Sequence, residues 1–142
     1  ISYFTIMREK KMPVLVMFID LDRLKYINDT FGHEYGDFAI VSIAKAMLKH
    51  CDADAIAART GGDEFIVLEG AKDEESGRVL AQKIRTELSK TQRAMQLPFD
   101  LSASIGAVVA HPGEENVLES YVKRAEMLMY EEKAEKKVSR DS

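Results

Sequence analysis

The chain has 142 residues, 46% of them hydrophobic and 31% charged, the composition of one ordinary globular domain, which excludes a disordered tail. Its 20 Lys and Arg stand against 24 Asp and Glu, a net charge of −4 that argues against a nucleic-acid partner, since phosphate backbones need a basic face. The single cysteine, Cys51, excludes an internal disulfide and a multi-cysteine zinc site and fits a reducing compartment.

No apolar run approaches the ~18 residues of a membrane span, so no membrane contact by this stretch is expected. Arg8, Lys10 and Lys11 follow the short apolar start instead of preceding it, the reverse of a secretory signal. Residues 2–10 read as the end of a helix, and a start at Ile1 reads as a piece excised from a longer protein. Pro13 opens the apolar run Val14 to Ile19, which ends at Asp20 and predicts a central strand covered by helices. Asp22 is placed to cap a short helix over Arg23 to Asn28, and Thr30 to His33 read as a turn. A second helix is expected from Asp37 to His50, with Ile40, Val41, Ala44, Met47 and Leu48 on its inner stripe.

Ala55 to Arg59 and Glu64 to Leu68 read as two short strands joined by Thr60-Gly61-Gly62-Asp63, the strongest hairpin signal in the chain. A helix follows over Asp73 to Lys90, with Leu80, Ile84 and Leu88 inward. Leu101, Ala103, Ile105, Ala107 and Val109 alternate with Ser102, Ser104 and Gly106, which is strand periodicity. A last helix over Asn116 to Lys137 carries Leu118, Val122, Ala125 and Met129 inward, and Met47, Met127 and Met129 read as helix packing. No linker or repeat divides the sequence, so residues 1–142 are expected to form one domain, with a hairpin and helical crossovers implying a mixed sheet.

Carboxylates gather at the strand ends. Asp20 closes the first strand, and Asp63 and Glu64 lie at the tip and start of the hairpin. If the hairpin lies beside that strand, the three crowd together and repel unless a cation lies between them or a pKa rises. Hard oxygen donors without a histidine or cysteine cluster favour Mg²⁺ or Mn²⁺, ions commonly completed by substrate phosphates. That points to nucleotide chemistry.

Arg59-Thr60-Gly61-Gly62-Asp63-Glu64-Phe65 resembles the signature of the GGDEF domain, the diguanylate cyclase family. The stretch from Phe18 through Asp20-Leu21-Asp22-Arg23-Leu24-Lys25-Tyr26-Ile27-Asn28-Asp29 to His33, then Gly36-Asp37, is similar to that family's first strand and guanine-binding loop. Leu101 to Gly106 and Ala125 to Lys133 resemble its late strand and last helix. The resemblance covers nearly the whole chain. It implies an α+β fold, nucleotide-cyclase-like with a ferredoxin-like core: a central mixed, largely antiparallel sheet of about five strands flanked by helices. It also implies an enzyme that condenses two GTP into cyclic di-GMP, releasing pyrophosphate, with two copies of the domain facing each other.

By the same resemblance, Asp20 and the Leu21 carbonyl would hold metal, with Asp63 or Glu64 completing the site. Asp63 is also the candidate to help deprotonate the attacking 3′-hydroxyl, and the sequence leaves open which carboxylate is base and which is ligand. Asn28 and Asp37 would read guanine, although by themselves they read as helix caps. Gly61 and Gly62 would let backbone approach the nucleotide. Lys25, Lys133 and Lys137 would contact the triphosphate, with Lys136 an alternative beside Lys137. His33 reads as a turn residue, Phe65 as core, and Arg59 as a partner of a nearby carboxylate or of the signature turn.

The family's Arg-x-x-Asp product-inhibition motif would fall on Asp52 and Ala55, where neither required residue stands. A cytoplasmic location is expected, with a sensory or dimerising region N-terminal to this stretch. A catalytically inactive domain that binds GTP or cyclic di-GMP is the alternative reading; intact Asp20, Asn28, Asp37 and Gly61 to Phe65 favour the enzyme.

Overall fold

Strand β1, Val14–Leu21, is buried along its whole length and forms the spine of the molecule. A computed structural model of the chain describes residues 11–114 and 117–141, so the helix expected over residues 2–10 and the expected start of the last helix at Asn116 lie outside the described residues. After β1 come α1 (Leu24–Phe31), α2 (His33–His50), β2 (Ile56–Arg59), β3 (Glu64–Gly70), α3 (Ser76–Ala94), β4 (Ala103–Ala110) and α4 (Leu118–Asp141). The sheet order is β2-β3-β1-β4. This β-α-β-β-α-β arrangement, with α1 and α2 sharing the first crossover, is the ferredoxin-like core.

The sheet has four strands among the described residues, not about five, and all of its pairings are antiparallel, not mixed. The crossovers do join strands that run the same way. However, β3 lies between β2 and β1, and β1 lies between β3 and β4, so no two parallel strands touch. A helical crossover fixes relative direction but not adjacency.

Alternation along β1 serves two cores. Leu15, Met17, Ile19 and Leu21 face α2 and α3, packing with Ile43, Met47, Leu80, Ile84 and Leu88. Val14, Val16 and Phe18 face α4, against Tyr121, Ala125 and Met129. A strand buried on both faces reads as an unbroken apolar run for this reason. Gly106 lets α4 lie directly on β4, because a Cβ there would collide with the Ala125 carbonyl and the Met129 amide. The two helical layers are tied together past β4, where Arg85 of α3 donates to both oxygens of Glu132 of α4 at 2.8 and 2.7 Å.

Several boundaries differ from the sequence expectation. Asp22 does not cap α1. The cap position belongs to Arg23, a left-handed residue at φ 59° with no side-chain cap, and Asp22 is buried in a polar network described below. Helix α2 begins at His33 after Gly32 (φ 101°), absorbing part of the expected turn, so Asp37 lies within the helix and not at its cap. Ile40, Ala44 and Met47 of the expected stripe pack on the core, but the buried centre of the helix is Ala39, Ile43, Ala46 and Met47, and Val41 and Leu48 are exposed. Helix α3 starts at Ser76, whose hydroxyl accepts the Lys72 and Asp73 amides. Met47 and Met129 pack as expected, whereas Met127 points outward at 62% exposure. No helix among the described residues is long and apolar enough to cross a membrane.

Substituting Gly106→Ala should destabilise the domain by about 1–3 kcal/mol, since the new methyl meets helix backbone that cannot rotate away. Thermal melts of the two proteins check this, and an unchanged melting temperature would contradict the close approach of α4 to β4.

Candidate active site

The parity of β1 puts Asp20 one step beyond Phe18, on the α4 side of the sheet, where the apolar core ends. Its register partner is Glu64 at the start of β3. The hairpin tip is held against the end of β1 by the Leu21 amide, which donates to the Asp63 carbonyl at 3.0 Å. Within the turn, the Thr60 amide donates to the Glu64 carbonyl at 2.9 Å, and the Arg59 guanidinium donates to the carbonyls of Gly61 and Gly62. Arg59 therefore orders the signature turn, one of its two expected roles.

These constraints bring Asp20, Asp63 and Glu64 together, with one carboxylate oxygen from each within 4.8 Å of the others. Asp20 is 5% exposed, and its Oδ1 is buried with no hydrogen-bond partner. Burial pushes the Asp20 carboxyl up to about 7; the nearby Lys133 ammonium works against this, while Asp63 and Glu64 add to it. Crowded hard oxygens with one orphaned acceptor suit a divalent cation, which would satisfy the orphan and cancel the repulsion. The Leu21 carbonyl also faces this cluster through Lys133, whose ammonium donates to it at 3.1 Å and stands 3.6 Å from Asp20 Oδ2.

Two more residues enter here: Asp22, expected only as a cap, and Lys136, expected only as an alternative to Lys137. Asp22 accepts the hydroxyls of Ser104 (2.6 Å) and Ser102 (2.8 Å) and the Lys136 ammonium (2.6 Å). Burial works to raise its pKa, but Lys136 and the two hydroxyls outweigh that and hold it below the usual carboxylate value. The signal was present in the spacing. Asp22 shares the parity of Asp20, Ser104 of β4 shares its parity with Ser102 just before the strand, and Lys136 lies three residues from Lys133 on one helix face. Lys136, not Lys137, reaches this network; Lys137 is exposed.

The other expected residues lie on the first two helices. Asn28 of α1 presses against Gly36 of α2, where a Cβ would collide with the Asn28 carboxamide oxygen. That oxygen is buried without a partner. Asp37 follows Gly36 and is exposed, as is Lys25. The corner between the helices is pinned by Phe31, whose ring lies 6.2 Å from Tyr35 and 5.5 Å from Phe99. Gly61 and Gly62 are exposed at the hairpin tip; His33 is exposed but opens α2 instead of lying in the expected turn, and Phe65 is buried, as expected.

Comparison with known proteins agrees with this geometry. A family model described as "Diguanylate cyclase, GGDEF domain" matches residues 4–139. The chain is 36% identical over 127 residues to "Probable diguanylate cyclase DgcT" of Escherichia coli, covering 87% of the chain and 28% of that protein. It is 34% identical over 134 residues to "Diguanylate cyclase VdcA" of Vibrio cholerae, covering 92% and 39%. The solved "active GGEEF domain of a diguanylate cyclase from Vibrio cholerae" superposes with a TM-score of 0.75 at 26% identity, over 90% of this chain and 81% of that one. The chain spans less than two fifths of the length of these two curated relatives. The sequence signature, the four-stranded fold and these matches together show that the chain belongs to the GGDEF domain family of diguanylate cyclases.

Proposed function

We propose that this domain is catalytically competent and condenses two GTP molecules into cyclic di-GMP, each 3′-oxygen displacing pyrophosphate from the other nucleotide's α-phosphorus. The observation that carries the reading is the carboxylate cluster of Asp20, Asp63 and Glu64 with its orphaned Asp20 oxygen. Three crowded carboxylates beside one ammonium are costly as pure structure and useful as a cation site.

Asp20, the Leu21 carbonyl, Asp63 and Glu64 would hold Mg²⁺ or Mn²⁺, which when bound neutralises the triphosphate and polarises the α-phosphorus. Lys133 meets the triphosphate from α4, with Lys25 of α1 and Lys137 adding charge from exposed positions. Asn28, packed on Gly36, and Asp37, the next residue, read the guanine edge. A carboxylate accepts from N1–H and the exocyclic amine of guanine, which adenine does not offer as a pair. Asp63 or Glu64 would take the proton from the attacking hydroxyl. Gly61 and Gly62 leave the hairpin tip without side chains that would block the nucleotide.

Among the described residues the domain presents one carboxylate cluster, and the product needs two activated guanylates. Two domains therefore face each other about a two-fold axis, with GTP and a second copy as partners and a region outside this stretch to bring the copies together.

Incubation with GTP and Mg²⁺, with the product identified by mass, tests the reading directly, and absence of cyclic di-GMP at every enzyme concentration would refute it. Asp63→Ala and Glu64→Ala should each abolish turnover while the melting temperature holds or rises, because repulsion in the cluster is relieved. Retained turnover in both would remove the cluster from the chemistry.

A second expectation concerns pH. The folded pKa of Asp20 lies above its ordinary 3.8, so its contribution to stability is complete below that value and is lost as pH rises through about 7. A cation binds the ionised form, so the rise in melting temperature on adding Mg²⁺ should be larger at about pH 8 than at about pH 6. Asp20→Asn should erase that difference.

The third expectation is kinetic. Specific activity should increase with enzyme concentration, and fusion to a coiled-coil dimeriser should raise turnover per site by about tenfold or more, through effective concentration alone. Flat specific activity across a wide dilution series of a monomeric species would rule out the paired mechanism.

A further inference from the structure

Lys136 has no part in the reading above, yet it is held on three sides. Its ammonium donates to Asp22 Oδ2 at 2.6 Å and to the Ala103 carbonyl at 2.8 Å, and it stands 3.2 Å from Glu132. Glu132 is itself gripped by Arg85 from the opposite face of the sheet. Three residues back along α4, Lys133 lies between two carboxylates, 3.5 Å from Asp22 Oδ1 and 3.6 Å from Asp20 Oδ2, and makes its hydrogen bond to the Leu21 carbonyl.

Asp22 is 4% exposed, and a carboxylate buried to that degree needs a cation. Two ammonium groups one helical turn apart compete for it, and Lys136 wins. With Ser102 and Lys136 on one oxygen and Ser104 on the other, Asp22 is already satisfied, and Lys133 remains beyond hydrogen-bond range of it.

We infer that Lys136 is a positioning residue: by saturating Asp22 it prevents Lys133 from collapsing onto that carboxylate, and so keeps the Lys133 ammonium at the Leu21 carbonyl, beside the carboxylate cluster, where it meets the triphosphate. The inference rests on the nucleotide-condensing reading and deepens it. Lys136 touches no substrate; it acts through Lys133. Without Lys136, Oδ2 of Asp22 keeps only the Ser102 hydroxyl, and Lys133 is the cation near enough to replace what was lost. Asp20, Asp63 and Glu64 keep their places in that shift and lose only a nearby ammonium, so binding of the triphosphate suffers while the step after binding does not.

The test is a double-mutant cycle on the whole domain with Lys136→Met, Lys133→Met and the pair, plus Lys136→Arg as the conservative variant. The readouts are calorimetric binding of a non-hydrolysable GTP analogue, calorimetric binding of Mn²⁺ alone, and KM and kcat for GTP. Lys136→Met should weaken the analogue and raise KM by about tenfold, with kcat within about twofold, the pattern of lost binding common to ground and transition states. Mn²⁺ affinity should not weaken, because Lys133 draws away from Asp20. Lys136→Arg should recover most of the loss, and Lys136→Met should add little in the Lys133→Met background.

Analogue affinity that stays at the wild-type value in Lys136→Met, even with a lowered melting temperature, would overturn the inference, as would effects that add fully in the double variant. Those outcomes leave the cyclase reading standing. A wild-type domain that binds no GTP analogue would bring down both, so the two failures are distinguishable.

Discussion

Charge has to be accommodated where a strand buried on both faces runs out. β1 carries eight residues through the middle of the sheet, and its alternation delivers Asp20 and then Asp22 to the α4 side of the structure at 5% and 4% exposure. Neither carboxylate can be left uncompensated there. The two are handled differently. Asp22 is filled by hydroxyls and an ammonium, whereas Asp20 faces two further acids and keeps an oxygen with no partner. One is a completed structural pair and the other an incomplete one, and that contrast separates scaffold from candidate site within three residues of sequence.

The surrounding architecture follows from this division. The antiparallel register between β1 and β3 sets Glu64 opposite Asp20, so the acids converge because of ladder geometry and not through flexible side chains. Helix α4 must lie close enough to β4 for Lys133 and Lys136 to reach over the sheet, and Gly106 makes that approach possible. Arg85 and Glu132 then fix α4 to the helix on the other face, so the lysines project from a braced element. A site held by a register, a close contact and an ion pair is positioned before any ligand arrives, the condition under which electrostatic stabilisation is most effective.

Much of this was legible in the order of residues. The apolar run ending at Asp20, the Gly61-Gly62 turn and the paired acids after it were enough to anticipate the cluster, since period-two alternation and hairpin chemistry are local properties. Sheet order was less legible. Direction can be read from crossovers, but which strand fills the gap between parallel partners depends on packing of distant segments. The misassigned role of Asp22 has the same origin. As a local residue it is a good cap, and only the arrival of Ser104 on β4 and of Ser102 just before it gives it better partners. Likewise Val41 and Leu48 fit a helical stripe by spacing, but which face of that helix is covered depends on the distant elements packed on it, and those meet Ala39, Ile43, Ala46 and Met47.

The two margins of the sheet are not equivalent. Along β4, α4 lies close on one face and a double hydrogen bond joins the flanking helices, which discourages lateral addition of a foreign strand. At the opposite margin β2 is four residues long, and all four, Ile56 to Arg59, are exposed. That margin runs straight into the turn whose carbonyls Arg59 holds. An extended peptide docking there would lie in line with the Gly61-Gly62 turn, so any strand added to this sheet would load that turn before the hydrophobic interior.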